Sequence, residues 1–135
     1  MKKVFLSYAH SDLAVARQVA TQLEDAGHKV WFADDAIFMG KNFALEAGKA
    51  LEKSDAMVVL ISPESMKSDW VRRDIDFALS APQYRGRLIP VIVKPTAKIP
   101  WILKKFPNVQ FGRRVAEAGR EIAGYVKNGF ELVPS

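Results

Sequence analysis

An unbroken run of apolar residues, Ala56–Ile61, constrains the fold more than any other segment of the chain. A strand with one solvated face alternates apolar and polar side chains, so a wholly apolar strand is buried on both faces. Burial on both faces is typical of a parallel sheet covered by helices. Further short strand-like segments lie at 4–8, 29–32, 88–93 and 109–111. Because helix patterns separate them, we predict an α/β fold, a doubly wound sandwich.

The helix patterns between these strands place apolar residues three or four positions apart. Ser11 or Asp12 can cap the first helix and Asn42 the second, while Gly27 and Pro82 end the first and third. In chain order the four core stripes are Leu13, Ala16, Val19 or Ala20, Leu23; Ala44, Ala47, Gly48, Leu51; Val71, Ile75, Ala78, Leu79; and Val115, Ala118 or Gly119, Ile122, Val126. Pro90 lacks a backbone donor and predicts an irregular or peripheral fourth strand.

Length and composition set limits on the class of protein. A chain of 135 residues fits one domain, which we place at 1–128, with 129–135 as a frayed tail or a truncated linker. Without cysteine, disulfides and thiolate chemistry are excluded. No apolar run reaches the roughly 20 residues of a membrane span, so we expect a cytoplasmic location and no membrane partner.

The charge pattern favours anionic partners in general, because the net charge is +5. The pairs Lys104–Lys105 and Arg113–Arg114 carry no interleaved aromatic residues and match no nucleic-acid motif. We therefore interpret them as solvated or subunit-contacting faces and predict no nucleic-acid partner. His10 and His28 have no further ligand at metal-binding spacing, so we predict no metal site and place both on the surface.

Candidate ligand-binding residues follow the first and third strands. Trp70 and Asp74 are one helical turn apart, and an aromatic face with a carboxylate at that spacing suits a base and a ribose. Ser7, Tyr8 and Ser62 lie at strand ends, where ligands bind in this class of fold. The residues after the first strand lack the glycines of a flavin-phosphate loop. The early strands also end without the cluster of carboxylates that a phosphate-accepting receiver needs.

Four separated motifs carry a resemblance to a known family. They are VFLSY at 4–8, VWF at 30–32 followed by Gly40, VLISP at 59–63 and SDWVRRD at 68–74. In order and spacing they resemble the Toll/interleukin-1 receptor (TIR) domain, and bacterial members more than animal receptor adaptors. The resemblance spans nearly the whole chain. It implies a flavodoxin-like three-layer sandwich whose five-stranded parallel sheet has the order 2-1-3-4-5, with helices on both faces.

The resemblance also implies an activity. Many TIR domains cleave the nicotinamide–ribose bond of NAD⁺ and hydrolyse or cyclise the ADP-ribose, often in antiviral defence, with NAD⁺ as substrate and no cofactor. In those members a tryptophan is followed four residues later by a glutamate that contacts the nicotinamide ribose. Here Trp70 matches the tryptophan, and Asp74 stands at the glutamate position. Activation commonly requires homotypic TIR–TIR assembly or a fused sensor domain.

The loop 33–41 borders the ligand site in family members and docks against a neighbouring subunit. Ile37, Phe38, Met39 and Gly40 form its centre here, and the three apolar residues predict an assembly contact, or else a loop that folds back on the domain.

Two alternatives follow from Asp74. Its side chain is one methylene shorter than glutamate, and a displacement of about 1 Å at a reacting centre can cost on the order of 100-fold in rate. The chain could therefore be a non-enzymatic assembly module. Asp74 could also belong to a solvated, salt-bridged helix face with Arg72 and Arg73. Among neighbouring acids, Asp69 and Asp76 do not replace it, whereas Glu64 would have to reach inward from its loop.

Overall fold

A computed structural model describes residues 1–33, 43–112 and 114–131. Its strands are β1 (Lys3–Ser7), β2 (Lys29–Trp31), β3 (Ala56–Ile61), β4 (Leu88–Ile92) and β5 (Val109–Gln110). All neighbouring strands are parallel, in the order β2-β1-β3-β4-β5. The predicted α/β class, the five parallel strands and their order are confirmed.

Helices cover both faces of this sheet. Within the described residues they are α1 (Leu13–Asp25), α2 (Phe43–Lys53), α3 (Asp69–Ser80) and α4 (Val115–Asn128). Alternate residues of β3 enter different cores: Val58 and Leu60 pack under α1 and α4, whereas Met57, Val59 and Ile61 pack with α3 and the inner side of α2. All six β3 residues are buried, which explains why the strand has no polar position.

The helix stripes are largely as predicted, except at two positions described below. α1 ends before Gly27, whose φ of 92° favours glycine. Ala44 of α2 and Leu79 of α3 are exposed, although both were expected in the core. In α3 the inward position belongs to Asp74 instead, because Val71, Asp74, Ile75 and Ala78 are its buried residues. Burying a carboxylate is unfavourable in free energy, so a pattern of apolar residues does not predict one in the core stripe.

Of the two alternatives that Pro90 suggested for the fourth strand, irregular or peripheral, the peripheral one is wrong, because β4 lies between β3 and β5. This interior position agrees with the predicted order 2-1-3-4-5. Its proline is accommodated by register. The Ile92 carbonyl accepts a hydrogen bond from the Phe111 amide at 2.9 Å, so Ile92, and Pro90 two residues before it, face β5. β5 begins only at Val109, which pairs with Val91. The Pro90 nitrogen therefore faces the β5 edge before β5 begins, where no hydrogen bond between the strands is needed.

The end of the described chain is packed and not frayed at Phe130. The Phe130 ring centroid lies 5.5 Å from that of Phe106 and 6.1 Å from that of Tyr125, and the Phe130 amide donates to the Gly86 carbonyl at 2.8 Å. The boundary between 128 and 129 stays a prediction. None of the described helices is long and apolar enough to cross a bilayer.

Candidate functional site

A cleft of about 160 Å³ lies beside the carboxyl half of β1, between α2 and the start of α3. We call it the Asp74 cleft. Its described lining residues are Phe5, Leu6, Ser7, Tyr8, His10, Trp31, Ala33, Phe43, Ala47, Ser68, Trp70 and Asp74. Four of the predicted site residues, Ser7, Tyr8, Trp70 and Asp74, thus come together from segments more than sixty positions apart.

Asp74 is the carboxylate of this cleft. Its side chain is on the inward stripe of α3, and the residue is only 8% exposed. Ser7 follows Phe5 on the same side of β1, so its hydroxyl faces α3 and donates to Asp74 Oδ2 at 2.8 Å. Among the described residues, Ser7 is the one hydrogen-bond donor to Asp74.

Burial changes the acidity of this group. Desolvation raises the pKa of Asp74 from 3.8 to about 6, and the Ser7 hydrogen bond opposes part of that rise. The carboxyl is therefore mostly ionised near pH 7.5 and mostly neutral at pH 5. A carboxyl that titrates close to neutrality, in a cleft, is a feature of acid–base and charge-stabilising sites.

Aromatic side chains form the walls of the cleft. Trp70 is 40% exposed, and its ring centroid lies 5.0 Å from that of Phe43 in an edge-to-face arrangement. The guanidinium carbon of Arg73 is 5.8 Å from the Trp70 centroid. Trp31 stacks on Phe5 with centroids 4.9 Å apart. Sequence reasoning did not identify Trp31 and Phe43 as lining residues, because only the three-dimensional packing of β2 and α2 brings them here.

The alternative of a solvated, salt-bridged helix face at Asp74 is wrong. Arg72 Nε donates to the Met66 carbonyl at 3.1 Å, and Arg73 lies over Trp70. In the described part of the chain neither arginine pairs with Asp74, which is buried toward Ser7.

Ser62 does not line the cleft. Its hydroxyl donates to Asp12 Oδ2 at 2.5 Å and accepts from the Ser65 amide at 3.0 Å. Lys94 Nζ lies 3.2 Å from Asp12 Oδ1 and 3.5 Å from Glu64 Oε1. Glu64 is therefore directed to Lys94 and not into the cleft. Asp12 makes no capping hydrogen bond to α1, contrary to expectation; it is a buried acceptor that ties the ends of β1, β3 and β4 together.

Replacing Asp12 with alanine is expected to lower the free energy of unfolding by about 1 to 3 kcal/mol. The change leaves the buried Ser62 hydroxyl without its acceptor, and that is the usual cost of an unsatisfied buried polar group. Lys94 is partly exposed, so water can hydrate its charge. Urea unfolding measures the loss. Asp25→Ala, which removes an exposed acid at the end of α1, is the matched control, and an equal effect of both variants would refute this role.

Two further sequence-based predictions concern the assembly loop and His10. Ile37, Phe38, Met39 and Gly40, the predicted assembly loop, lie outside the described residues. His10 is exposed, as expected, at the edge of the cleft.

His28 is not a surface residue, contrary to prediction. It is only 8% exposed, and its Nδ1 accepts the Lys2 amide at 3.2 Å. Burial lowers the pKa of this histidine, which favours the neutral, accepting ring.

A larger cavity, of about 680 Å³, lies at the carboxyl ends of β4 and β5. Its polar lining comes from Lys94, Thr96, Lys104, Asn108 and Gln110, and none of its described lining residues is acidic. It is thus larger than the Asp74 cleft but offers no carboxylate for chemistry.

The fold and the motifs agree with one protein family. The family model described as TIR domain matches residues 4–123, and the chain therefore belongs to the TIR domain family.

Curated relatives include proteins named for an activity on NAD⁺. The chain is 28% identical over 91 residues to the NAD(+) hydrolase TcpA of Theionarchaea archaeon (strain DG-70-1), a match covering 65% of this chain and 27% of that protein. It is 29% identical over 91 residues to the NAD(+) hydrolase PdTIR of Paracoccus denitrificans (strain Pd 1222), covering 65% and 30%. The aligned part thus spans less than a third of either relative.

Among solved structures, the TIR domain of the Toll-related receptor TRR-2 from Hydra magnipapillata superposes with a TM-score of 0.76 at 22% identity. The match covers 95% of this chain and 100% of that one. At this identity the likeness shows the fold alone.

Proposed function

We propose that this TIR domain cleaves the bond between nicotinamide and ribose in NAD⁺, releasing nicotinamide and hydrolysing or cyclising the ADP-ribose. The observation that supports this most directly is Asp74, a buried carboxylate held by Ser7 in a cleft with an aromatic wall at Trp70. The relatives named NAD(+) hydrolases support the choice of substrate.

Cleavage of the nicotinamide–ribose bond is helped by a negative charge close to the ribose, and Asp74 supplies a carboxylate in this cleft. As the glycosidic bond breaks, its electron pair goes to the nicotinamide nitrogen, and positive charge builds on the ribose ring. A carboxylate close to the ribose stabilises that charge and can accept hydrogen bonds from the ribose hydroxyls. Water then adds to the anomeric carbon and loses a proton, giving ADP-ribose; in cyclisation a nucleophile within the ADP-ribose replaces water.

The size of the cleft limits what it holds. A volume of about 160 Å³ is below the range of roughly 300 to 1,000 Å³ that encloses a drug-sized ligand. We infer that the nicotinamide and its ribose enter, with the ring against Trp70, while the remainder of the dinucleotide lies outside. Ser7 and Tyr8 contact the bound ribose and ring from the β1 side in this arrangement, and Ser62 has no part in it.

We place this activity in an intracellular signalling or defence system that is switched on by assembly. A cleft that holds part of the substrate can be completed by a neighbouring copy, by the segment predicted as a loop at 33–41, or by a sensor domain fused to the chain. Turnover should therefore rise more steeply than linearly with protein concentration.

The direct test is NAD⁺ consumption by the wild-type chain over a series of protein concentrations, with a crowding agent. Chromatography identifies nicotinamide and either linear or cyclic ADP-ribose. Nicotinamide release supports the proposed activity, and release that rises more steeply than in proportion to protein concentration supports its activation by assembly. Complete silence at every concentration, together with silence of the Asp74 variants considered below, would leave the non-enzymatic assembly module as the better account.

The pH dependence of turnover should report Asp74. Because the reactive form is the ionised carboxylate, kcat/KM is expected to rise with pH through an apparent pKa of about 6 and to level off above it. Steady-state kinetics between about pH 5 and 8, with thermal melts at each pH to exclude unfolding, measure this. Asp76→Asn, which neutralises an exposed acid of α3, should leave the profile unchanged. A flat wild-type profile across this range would contradict the role of Asp74.

A further inference from the structure

The segment 77–116 has an extreme charge composition. It contains eight lysines and arginines and no aspartate or glutamate, although the whole chain has 15 acidic residues. The cations are Arg85, Arg87, Lys94, Lys98, Lys104, Lys105, Arg113 and Arg114. The positive charge of the chain is thus concentrated in the part that forms β4, β5 and their connection.

An exposed tryptophan stands in the middle of this segment. The short 3₁₀ helix Trp101–Lys105 carries Trp101, which is 70% exposed and has Lys105 Nζ 5.4 Å from its ring centroid. Leu103 is completely buried in the same turn. Because Leu103 fixes the turn to the core, Trp101 is held on the outside. Excluding the chain start, it is the most exposed large apolar side chain in the described residues.

Hollows lie on both sides of this turn. Lys94, Ile99 and Lys104 line the cavity of about 680 Å³ at the carboxyl ends of β4 and β5. On the other side, Arg85 and Ile102 line a hollow of about 420 Å³. We call the surface made by Trp101, Lys104, Lys105 and the residues lining these two hollows the tryptophan edge. It lies at the β5 side of the sheet, whereas the Asp74 cleft is formed by β1, β2, α2 and α3.

We propose that the tryptophan edge binds the surface of a lipid bilayer that carries anionic headgroups. Indole side chains favour the boundary between headgroups and acyl chains, and lysines beside them are attracted to anionic lipid. The complementary charge comes from Lys104 and Lys105, which lie in a stretch, 77–116, that contains no aspartate or glutamate. Lys94 contributes less, because it is already paired with Asp12 and Glu64. Such binding is peripheral and needs no membrane-spanning helix, and the proposal runs counter to the expectation of no membrane partner.

The composition of the turn favours a bilayer over a nucleic acid. Between positions 97 and 106, sequence AKIPWILKKF, the polar side chains are all lysines. Nucleic-acid surfaces combine their lysines with hydroxyl, amide and guanidinium groups for phosphates and bases, and stack successive bases on several aromatics. A single tryptophan among isoleucines, leucine and lysines provides apolar insertion with charge attraction instead.

Vesicle flotation tests the proposal with phosphatidylcholine vesicles, with and without phosphatidylserine. The chain is expected to float only with the anionic vesicles, and less at high salt. Lys104→Gln combined with Lys105→Gln should lower the partition coefficient about 30-fold, which is about 1 kcal/mol for each lysine. Trp101→Ala should lower it by at least about tenfold.

Matched controls separate this surface from charge or hydrophobicity in general. Lys49→Gln with Lys53→Gln removes the same charge from exposed sites on α2, and Leu45→Ala removes an exposed apolar side chain there; both should bind as wild type does. Equal losses in controls and test variants would overturn the proposal. So would absence of binding to anionic vesicles, tighter Trp101-dependent binding to single-stranded DNA, or sedimentation showing that Trp101→Ala dissociates a dimer.

Discussion

Replacing Asp74 with alanine is expected to lower nicotinamide release from NAD⁺ by about 100-fold to 1,000-fold while the fold is kept. The variant removes the only carboxylate among the described residues of the cleft, and loss of one preorganised group that stabilises developing charge typically costs this much. Asp76→Ala is the matched control, since it removes an exposed acid two positions away on the same helix. Equal activity in both variants and the wild type would remove Asp74 from the mechanism.

Asp74→Glu distinguishes a working site from a degenerate one. A longer side chain carries the carboxylate past Ser7 and further into the cleft, and about 1 Å at the reacting centre can change the rate on the order of 100-fold. If the missing methylene limits the wild type, turnover should increase in the glutamate variant. Activity in that variant alone would mean a competent fold with a shortened carboxylate. Absence of any increase would refute the idea that reach is limiting.

Asp74→Asn is expected to raise the free energy of unfolding by about 2 to 3 kcal/mol above pH 7. The wild type must bury an ionised carboxylate there, and a pKa raised from 3.8 to about 6 corresponds to about 3 kcal/mol of unfavourable burial. Asparagine removes the charge, and its carbonyl can still accept the Ser7 hydroxyl. Urea unfolding of both proteins at matched pH measures the gain.

The difference between these two proteins should follow pH in a defined direction. Between about pH 4 and pH 6 the folded wild type binds more protons at Asp74 than the unfolded chain does, so wild-type stability falls as pH rises through this window. The stability contributed by the neutral carboxyl is fully present below about pH 4 and lost above about pH 6. The asparagine variant should therefore match the wild type in acid and exceed it at neutral pH. A gain that is the same at all pH values would contradict the burial argument, and Asp76→Asn should show no gain.

Much of the fold is readable from sequence because its strongest signals are local. The apolar run Ala56–Ile61 specifies a strand buried on both faces, and helix stripes with Gly27 and Pro82 at their ends specify the connections. Features that depend on a partner distant in sequence cannot be predicted in this way. Pro90 signals a peripheral strand by its missing donor, yet the late start of β5 makes that donor unnecessary in an interior one.

The candidate site likewise contains features that are local in sequence and features that only folding brings together. Trp70 and Asp74 can be paired from sequence because one helical turn separates them. The bond from Ser7 to Asp74 joins residues 67 positions apart, and only folding makes the carboxylate buried. Likewise, the Ser62 hydroxyl donates a hydrogen bond to Asp12, 50 positions away. The position of Ser62 at a strand end does not reveal this partner. His28 is buried for a similar reason, since its ring accepts the amide of Lys2.

The most direct test of the central claim compares nicotinamide release from NAD⁺ by the wild type and by Asp74→Asn, side by side at high protein concentration and slightly alkaline pH. The two side chains have nearly the same shape and differ in charge, and the variant is expected to be the more stable protein. The account predicts release by the wild type and a fall to the background rate in the variant. Release that is undiminished in Asp74→Asn would contradict it, because the buried carboxylate would then have no part in breaking the bond.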